Sequence, residues 1–277
     1  METRRKEISP VDLFRETPRN NCRECGFPTC LAYAVHVIVD RGDLALCPHL
    51  SEEALARLGP KITEQRARGV YVRTEKSDIA DEIARRLATL DFREVAARIG
   101  GEVVEERGEP AVRLIFLGRA IVITRSGEIL GEVGHPTPYE RILLYNHLLR
   151  AGGAQPTGRW VSIDRLPGSL SKRAELEEVC ESKLASAASR AGGEALAQAC
   201  SQSGSIPHSE KGDADWSFGF QGFPKVPLLL LVWKGDEDFP PRVKLLMDET
   251  AGEYLDMDSL IVLAELLADR ILERLGQ

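Results

Sequence analysis

Asn21-Cys22-Arg23-Glu24-Cys25-Gly26-Phe27-Pro28-Thr29-Cys30-Leu31-Ala32-Tyr33-Ala34, followed downstream by Cys47-Pro48-His49-Leu50, puts four cysteines within 26 residues. The spacing is Cys22-x2-Cys25-x4-Cys30-x16-Cys47, and the remaining chain holds only Cys180 and Cys200. Three thiols share one short loop, so the fourth must return from a distance. Residues 31–40 are apolar and predict a helix, with a turn at Gly42, which lets the chain fold back and set Cys47 beside the others.

Crowded cysteines in a chain without an export signal point to metal or redox chemistry rather than disulfides. Two cofactors compete. Structural zinc takes four thiolates tetrahedrally, commonly from two short knuckles. A cubane [4Fe-4S] cluster also takes four thiolates, and one knuckle, a third cysteine four residues on and a distant fourth suit it better. Pro28 fits the first turn of the following helix, whose N-terminal amides would face the cluster sulfurs. Gly26 permits close backbone approach. Pro48 leaves less free backbone at the last ligand.

These residues resemble the cluster domain at the start of the corrinoid iron–sulfur protein large subunit, and that of RnfB-type electron-transport subunits. The resemblance implies a [4Fe-4S] cofactor with Cys22, Cys25, Cys30 and Cys47 as ligands. Arg23 stands where that family often has a small residue. The likeness ends near Leu50, and nothing beyond it reads as eight βα units, so methyl transfer is not implied. The remainder resembles a family of unknown function catalogued as 3786. That likeness rests on His135-Pro136-Thr137-Pro138-Tyr139-Glu140, on Trp160, and on Pro224–Leu228 and Trp233–Pro240.

The net charge is −7, which argues against general affinity for nucleic acid or anionic lipid. No apolar run approaches a membrane span and the N-terminus lacks a signal core, so a cytoplasmic protein is expected. Residues 1–75 are nearly neutral, with 12 Lys+Arg and 11 Asp+Glu. The stretch from Gly235 to Asp258 carries eight acids against Arg242 and Lys244, which reads as a solvated acidic loop.

The organisation predicted is a small, mostly helical cluster domain (1–50), a short helix and linker (51–76) and a larger α+β domain (77–277) with an antiparallel or mixed sheet. Helical spacing covers residues 79–99 with Asp91 as an internal cap, and strands follow over 102–106, 111–117, 120–124 and 129–132. Thr137-Pro138-Tyr139-Glu140 is a capping box that starts a helix to Arg150. Further helices are expected over 175–190 and 194–201, strands over 160–163, 228–233 and 243–247, and a final helix capped by Asp258. Segregated strand and helix blocks favour α+β over a doubly wound sheet.

Other candidates read more blandly. Cys180 and Cys200 lie on apolar helix faces as buried small hydrophobes. His36 and His49 are placed to tune a cluster but are ordinary packing or surface positions. His135 and His147 have no matching nucleophile. Asp236, Glu237 and Asp238 sit in a solvated turn, and Trp160, Trp233 and Phe239 suit a core. No phosphate- or dinucleotide-binding glycine motif occurs. The leading expectation is an electron-transfer or reductive-activation accessory with a redox partner protein. A scaffold or oxygen sensor with a structural cluster ranks second, and an enzyme last.

Overall fold

The structure is a computed structural model that describes residues 7–27, 29–39, 42–67, 75–132, 136–169, 172–209, 212–236 and 238–276. The expectations placed on Pro28, His135, Glu237 and residues 68–74 of the linker lie outside the described residues. The chain divides into two compact units, Met1–Ile79 and Ala80–Gln277.

In the first unit, α1 (Pro10–Glu16) starts at a capping box in which Ser9 and Asp12 satisfy each other's amides. The cysteine loop leads into α2 (Cys30–Val39), then a 3-10 turn (Leu44–Leu46), then α3 (Glu52–Ala67). The region expected to hold a short helix thus forms 16 helical residues, with Pro60 inside. Ala54, Leu58 and Ile62 recur every four residues and bury one stripe against Leu13, Tyr33 and Val37. Gln65, also buried, adds two hydrogen bonds: it accepts from the Ile8 amide (2.8 Å) and donates to the Ile8 carbonyl (3.0 Å). This packing outweighs the bond that Pro60 removes from the helix.

The unit boundary falls within α4 (Glu75–Leu87); α5 (Phe92–Ile99) follows in the second unit, capped by Asp91 and ended by Gly100 at φ 78°. Strands β1 (Glu102–Glu106), β2 (Glu109–Phe116), β3 (Arg119–Thr124) and β4 (Ile129–Gly131) form an antiparallel sheet in sequence order. Its first two hairpins turn on Arg107-Gly108 and Leu117-Gly118, with positive φ at both residues of each pair. That geometry matches the twist of the flanking strands. The second turn falls one residue earlier than expected. Leu117 is held there because its amide donates to the Gly222 carbonyl (2.9 Å) and its own carbonyl accepts from Arg270.

Helix α6 (Pro138–Arg150) starts at the expected Thr137/Glu140 capping box. After β5 (Trp160–Val161) come α7 (Lys172–Leu176), a π-helical turn (Glu177–Glu181), α8 (Ser182–Ala191) and α9 (Gly193–Gln202). Strands β6 (Ile206–Pro207), β7 (Trp216–Phe223), β8 (Val226–Trp233) and β9 (Arg242–Asp248) complete a second antiparallel sheet, ordered β5-β9-β8-β7-β6. Helices α10 (Ala251–Tyr254) and α11 (Met257–Leu275) end the chain. The fold is therefore α+β: a helical first unit, then a larger unit with two antiparallel sheets.

Asp256, not Asp258, caps α11, accepting the Ser259 amide at 2.8 Å. The helix starts one residue before Asp258, which instead pairs with Lys172 (2.6 Å). Buried Leu255 and Leu260 then occupy the staple positions.

His147 of α6 is fully buried, stacked on Phe223 at 3.9 Å between ring centroids, with the Tyr254 backbone as its weak polar neighbour. Burial pulls its pKa down to about 3, so it is neutral when folded and binds a proton only on unfolding. The unfolded chain binds more protons below pH 6.5, so stability falls as pH drops from there towards 3. His147→Leu removes this component. Anaerobic urea denaturation is expected to show the variant gaining about 2 kcal/mol on wild type between pH 7 and pH 5. An unchanged difference between the two proteins means that His147 titrates normally in the folded state.

Candidate metal centre

The cysteine loop is built on an uncommon backbone. Arg19, Asn21 and Arg23 have φ of 57°, 51° and 66°, and Gly26 has 84°, so positive φ alternates with negative along residues 19–23. Within the loop the Cys22 amide donates to the Asn20 side chain at 3.3 Å and the Gly26 amide to the Arg23 carbonyl at 3.0 Å. Asn tolerates the left-handed region best among non-glycine residues, and Asn21 has a second task. Its side-chain oxygen accepts the Cys30 amide at 2.9 Å, tying the start of the loop to the first residue of α2. Thr29 accepts the Ala32 amide at 3.0 Å, so two of the free donors at this helix end are satisfied.

Cys47 is brought back by a different set of contacts. Tyr33, wholly buried in α2, donates its hydroxyl to the Leu44 carbonyl at 2.6 Å. Arg66 of α3 donates to the carbonyls of Val37 (2.7 Å) and Gly42 (2.6 Å), holding the end of α2 and the start of the return. A side chain at Gly42 would run into the His36 ring, which itself stacks near Phe27 (4.7 Å). Asp43 caps the 3-10 turn, and Cys47 follows directly after it.

Cys30 and Cys47 are buried, while Cys22 and Cys25 are half-buried. Burial pushes the Cys47 thiol above its ordinary value. The backbone of His49 opposes this, while Cys25 and Cys30 add to the rise. The Leu50 amide donates to the Cys47 carbonyl at 3.2 Å, and Cys25 packs against the core that buries Cys47. Cys22 stands on the side of His49. Among the described residues, its sulfur, the Glu24 carboxylate and the His49 imidazole are the one group of three candidate ligand atoms within 4.8 Å of one another. His49 and Glu24 pair at 2.9 Å, bridging the two cysteine segments. Four thiols on two segments, two of them buried and two half-buried, suit a soft metal centre bound through thiolates.

The remaining candidates are structural. Cys180 and Cys200 are fully buried, and burial pushes both thiols up, Cys200 to about 12. The Asp236 carboxylate accepts the amides of Asp238 and Phe239, each at 2.9 Å, which shapes its own turn. Phe239 is 70% exposed at the tip of the β8–β9 hairpin rather than in the core, because the turn carries it past the last strand pair. Asn21, Tyr33, Gln65 and Arg66 were not anticipated: their bonds reach 9 to 57 residues away, beyond what local spacing signals.

These features define an iron–sulfur protein joined to an α+β unit. Residues 18–49 match a family described as "Putative Fe-S cluster". Residues 91–270, about two thirds of the chain, match the domain of unknown function DUF3786, and the chain belongs to that family. The corrinoid/iron-sulfur protein large subunit of Moorella thermoacetica is 36% identical over 47 residues, 17% of this chain and 10% of the relative. Acetyl-CoA decarbonylase/synthase complex subunit gamma of Methanocaldococcus jannaschii is 32% identical over 59 residues, 21% of this chain and 12% of the relative. The same subunit of Archaeoglobus fulgidus is 34% identical over 105 residues, 38% and 20% respectively. The chain therefore spans a tenth to a fifth of these relatives. No solved structure matches. Among the described residues, no helix is long and apolar enough to cross a membrane.

Asn21→Ala removes the Cys30 cap and puts a β-carbon residue without local hydrogen bonding at positive φ. The expected loss is about 1–2 kcal/mol in anaerobic denaturation. Asn21→Asp keeps the acceptor and is expected to retain most of the stability. Equal losses in the two variants would remove the cap from the account.

Proposed function

We propose that Cys22, Cys25, Cys30 and Cys47 hold one oxygen-sensitive [4Fe-4S] cluster, and that the chain is an electron-transfer or reductive-activation accessory in anaerobic metabolism. The observation that carries this reading is the buried Cys47, packed in the same core as Cys25 and returned toward the cysteine loop by the Tyr33–Leu44 hydrogen bond, with His49 of its segment paired to Glu24 of the loop. A bound cubane supplies one-electron transfer at a potential set by burial and by hydrogen bonds to sulfur. The surroundings would set that potential: the burial of Cys30 and Cys47, and the Glu24–His49 pair beside Cys22.

Zinc is the weaker fit. Zinc sites commonly pair two short knuckles, whereas this chain has one knuckle, a third cysteine four residues on and a lone distant fourth. The relatives' names, subunits of larger assemblies, support a protein redox partner. In this reading the cluster domain of residues 1–50 is completed by α3, and the α+β domain of 77–277 recognises the partner or a ligand.

A second reading, a scaffold or sensor in which the cluster is structural, draws on the packing of Cys47 in the same core as Leu13, Tyr33 and Leu58. Two measurements separate the readings. Anaerobically purified chain is expected to take one electron from dithionite and give a paramagnetic resonance signal absent before reduction; a cluster that resists dithionite contradicts electron transfer. Cys30→Ala is expected, under the structural reading, to unfold the first unit while leaving the second intact. Retention of a folded first unit by that variant contradicts the structural reading.

A further inference from the structure

A second polar site lies in the α+β unit, between the π-helical turn and the edge of β9. Strand β5 pairs with Met247 and Asp248, so among the described residues the outer edge of β9 from Arg242 to Leu246 has no strand neighbour. Glu181, last residue of the π-helical turn, fills one rung of that edge. Its carboxylate accepts the Leu245 amide and the Lys244 ammonium, both at 3.0 Å, and the residue is 7% exposed. Turns of this kind re-aim side chains and recur at functional sites.

With Glu181 committed to these partners, the adjoining cavity of about 320 Å³ is rich in donors. Arg242 lies over the Trp233 ring, 3.9 Å from its centroid, and meets no carboxylate among the described residues. Stacking holds the guanidinium in place at little entropic cost to a ligand. The Trp233 indole N–H is buried and has no acceptor among the described residues. Arg173 and Ser182 add further donors to the lining, with Glu177 as an opposing acid. Arg173 reaches Asp164 only at 3.4 Å on a largely exposed face. Lys244 is thus paired with Glu181 and Arg173 with Asp164, which leaves Arg242 as the lining cation with no carboxylate partner among the described residues.

We infer that this cavity binds a small oxyanion, a carboxylate- or phosphate-bearing metabolite, held by the Arg242 guanidinium and Arg173. The site is independent of the cluster reading and stands or falls separately. The test is calorimetric titration of the whole chain, kept anaerobic at fixed ionic strength, with inorganic phosphate and with succinate. Saturable binding of at least one anion with Kd below about 1 mM is expected. Arg242→Gln is expected to weaken it by about tenfold or more. The tighter of the two probes assigns the ligand class. If neither anion saturates below about 10 mM, or Arg242→Gln binds as tightly as wild type, the proposal is overturned. Should Arg242→Gln fail to fold, Arg173→Gln at its exposed position decides: weaker binding supports the site, and unchanged affinity contradicts it.

Discussion

The hydrogen bond from the buried Tyr33 hydroxyl to the Leu44 carbonyl fixes where the returning chain lies beside α2. Everything proposed for the first unit depends on that register. Three thiols on residues 22–30 can be delivered by one loop, but Cys47 lies 17 residues beyond Cys30 and must be placed by tertiary contacts. A lone hydrogen bond contributes about 1 kcal/mol net, so Tyr33 does not act alone. Arg66 clamps the end of α2 from α3, and Gln65 of the same helix fastens the chain ahead of α1. Helix α3 is thus part of the device that positions the cysteines.

The same unit resolves an electrostatic conflict. Burial alone disfavours a thiolate at Cys47, and neighbouring sulfurs worsen it. The backbone of His49 partly offsets this, and a bound metal would complete the compensation by displacing the protons. Metal loading and folding of the first unit would then depend on each other. In the second unit the polar groups are handled differently: Glu181 is satisfied by a sheet edge, while His147 is left neutral against Phe223.

How much of this was legible in the sequence follows from the range of each interaction. The cysteine spacing, the Asp91 cap and the Thr137/Glu140 box are local patterns and were readable as such. Strand β7 (Trp216–Phe223) was not, because Gly219 and Gly222 weaken a strand signal. Both glycines serve close approach: a β-carbon would meet the Ile206 carbonyl at 3.1 Å from Gly219, and the Leu263 side chain at 2.8 Å from Gly222. Asp256 and Asp258 both suit a cap, and only the start of α11 at Met257 decides between them. The π-helical turn interrupts what reads as one continuous amphipathic helix, and no residue type marks it. Gly59-Pro60 reads as a break, yet the helix continues because its buried stripe and Gln65 hold both sides.

The central claim is that four cysteines on two segments converge on one cubane cluster. Native mass spectrometry of the anaerobically isolated chain tests it most directly, because the bound mass names the cofactor and its stoichiometry together. The predicted species carries four irons and four sulfides per chain and loses them in Cys47→Ser. A species carrying a single zinc and no sulfide would contradict the account.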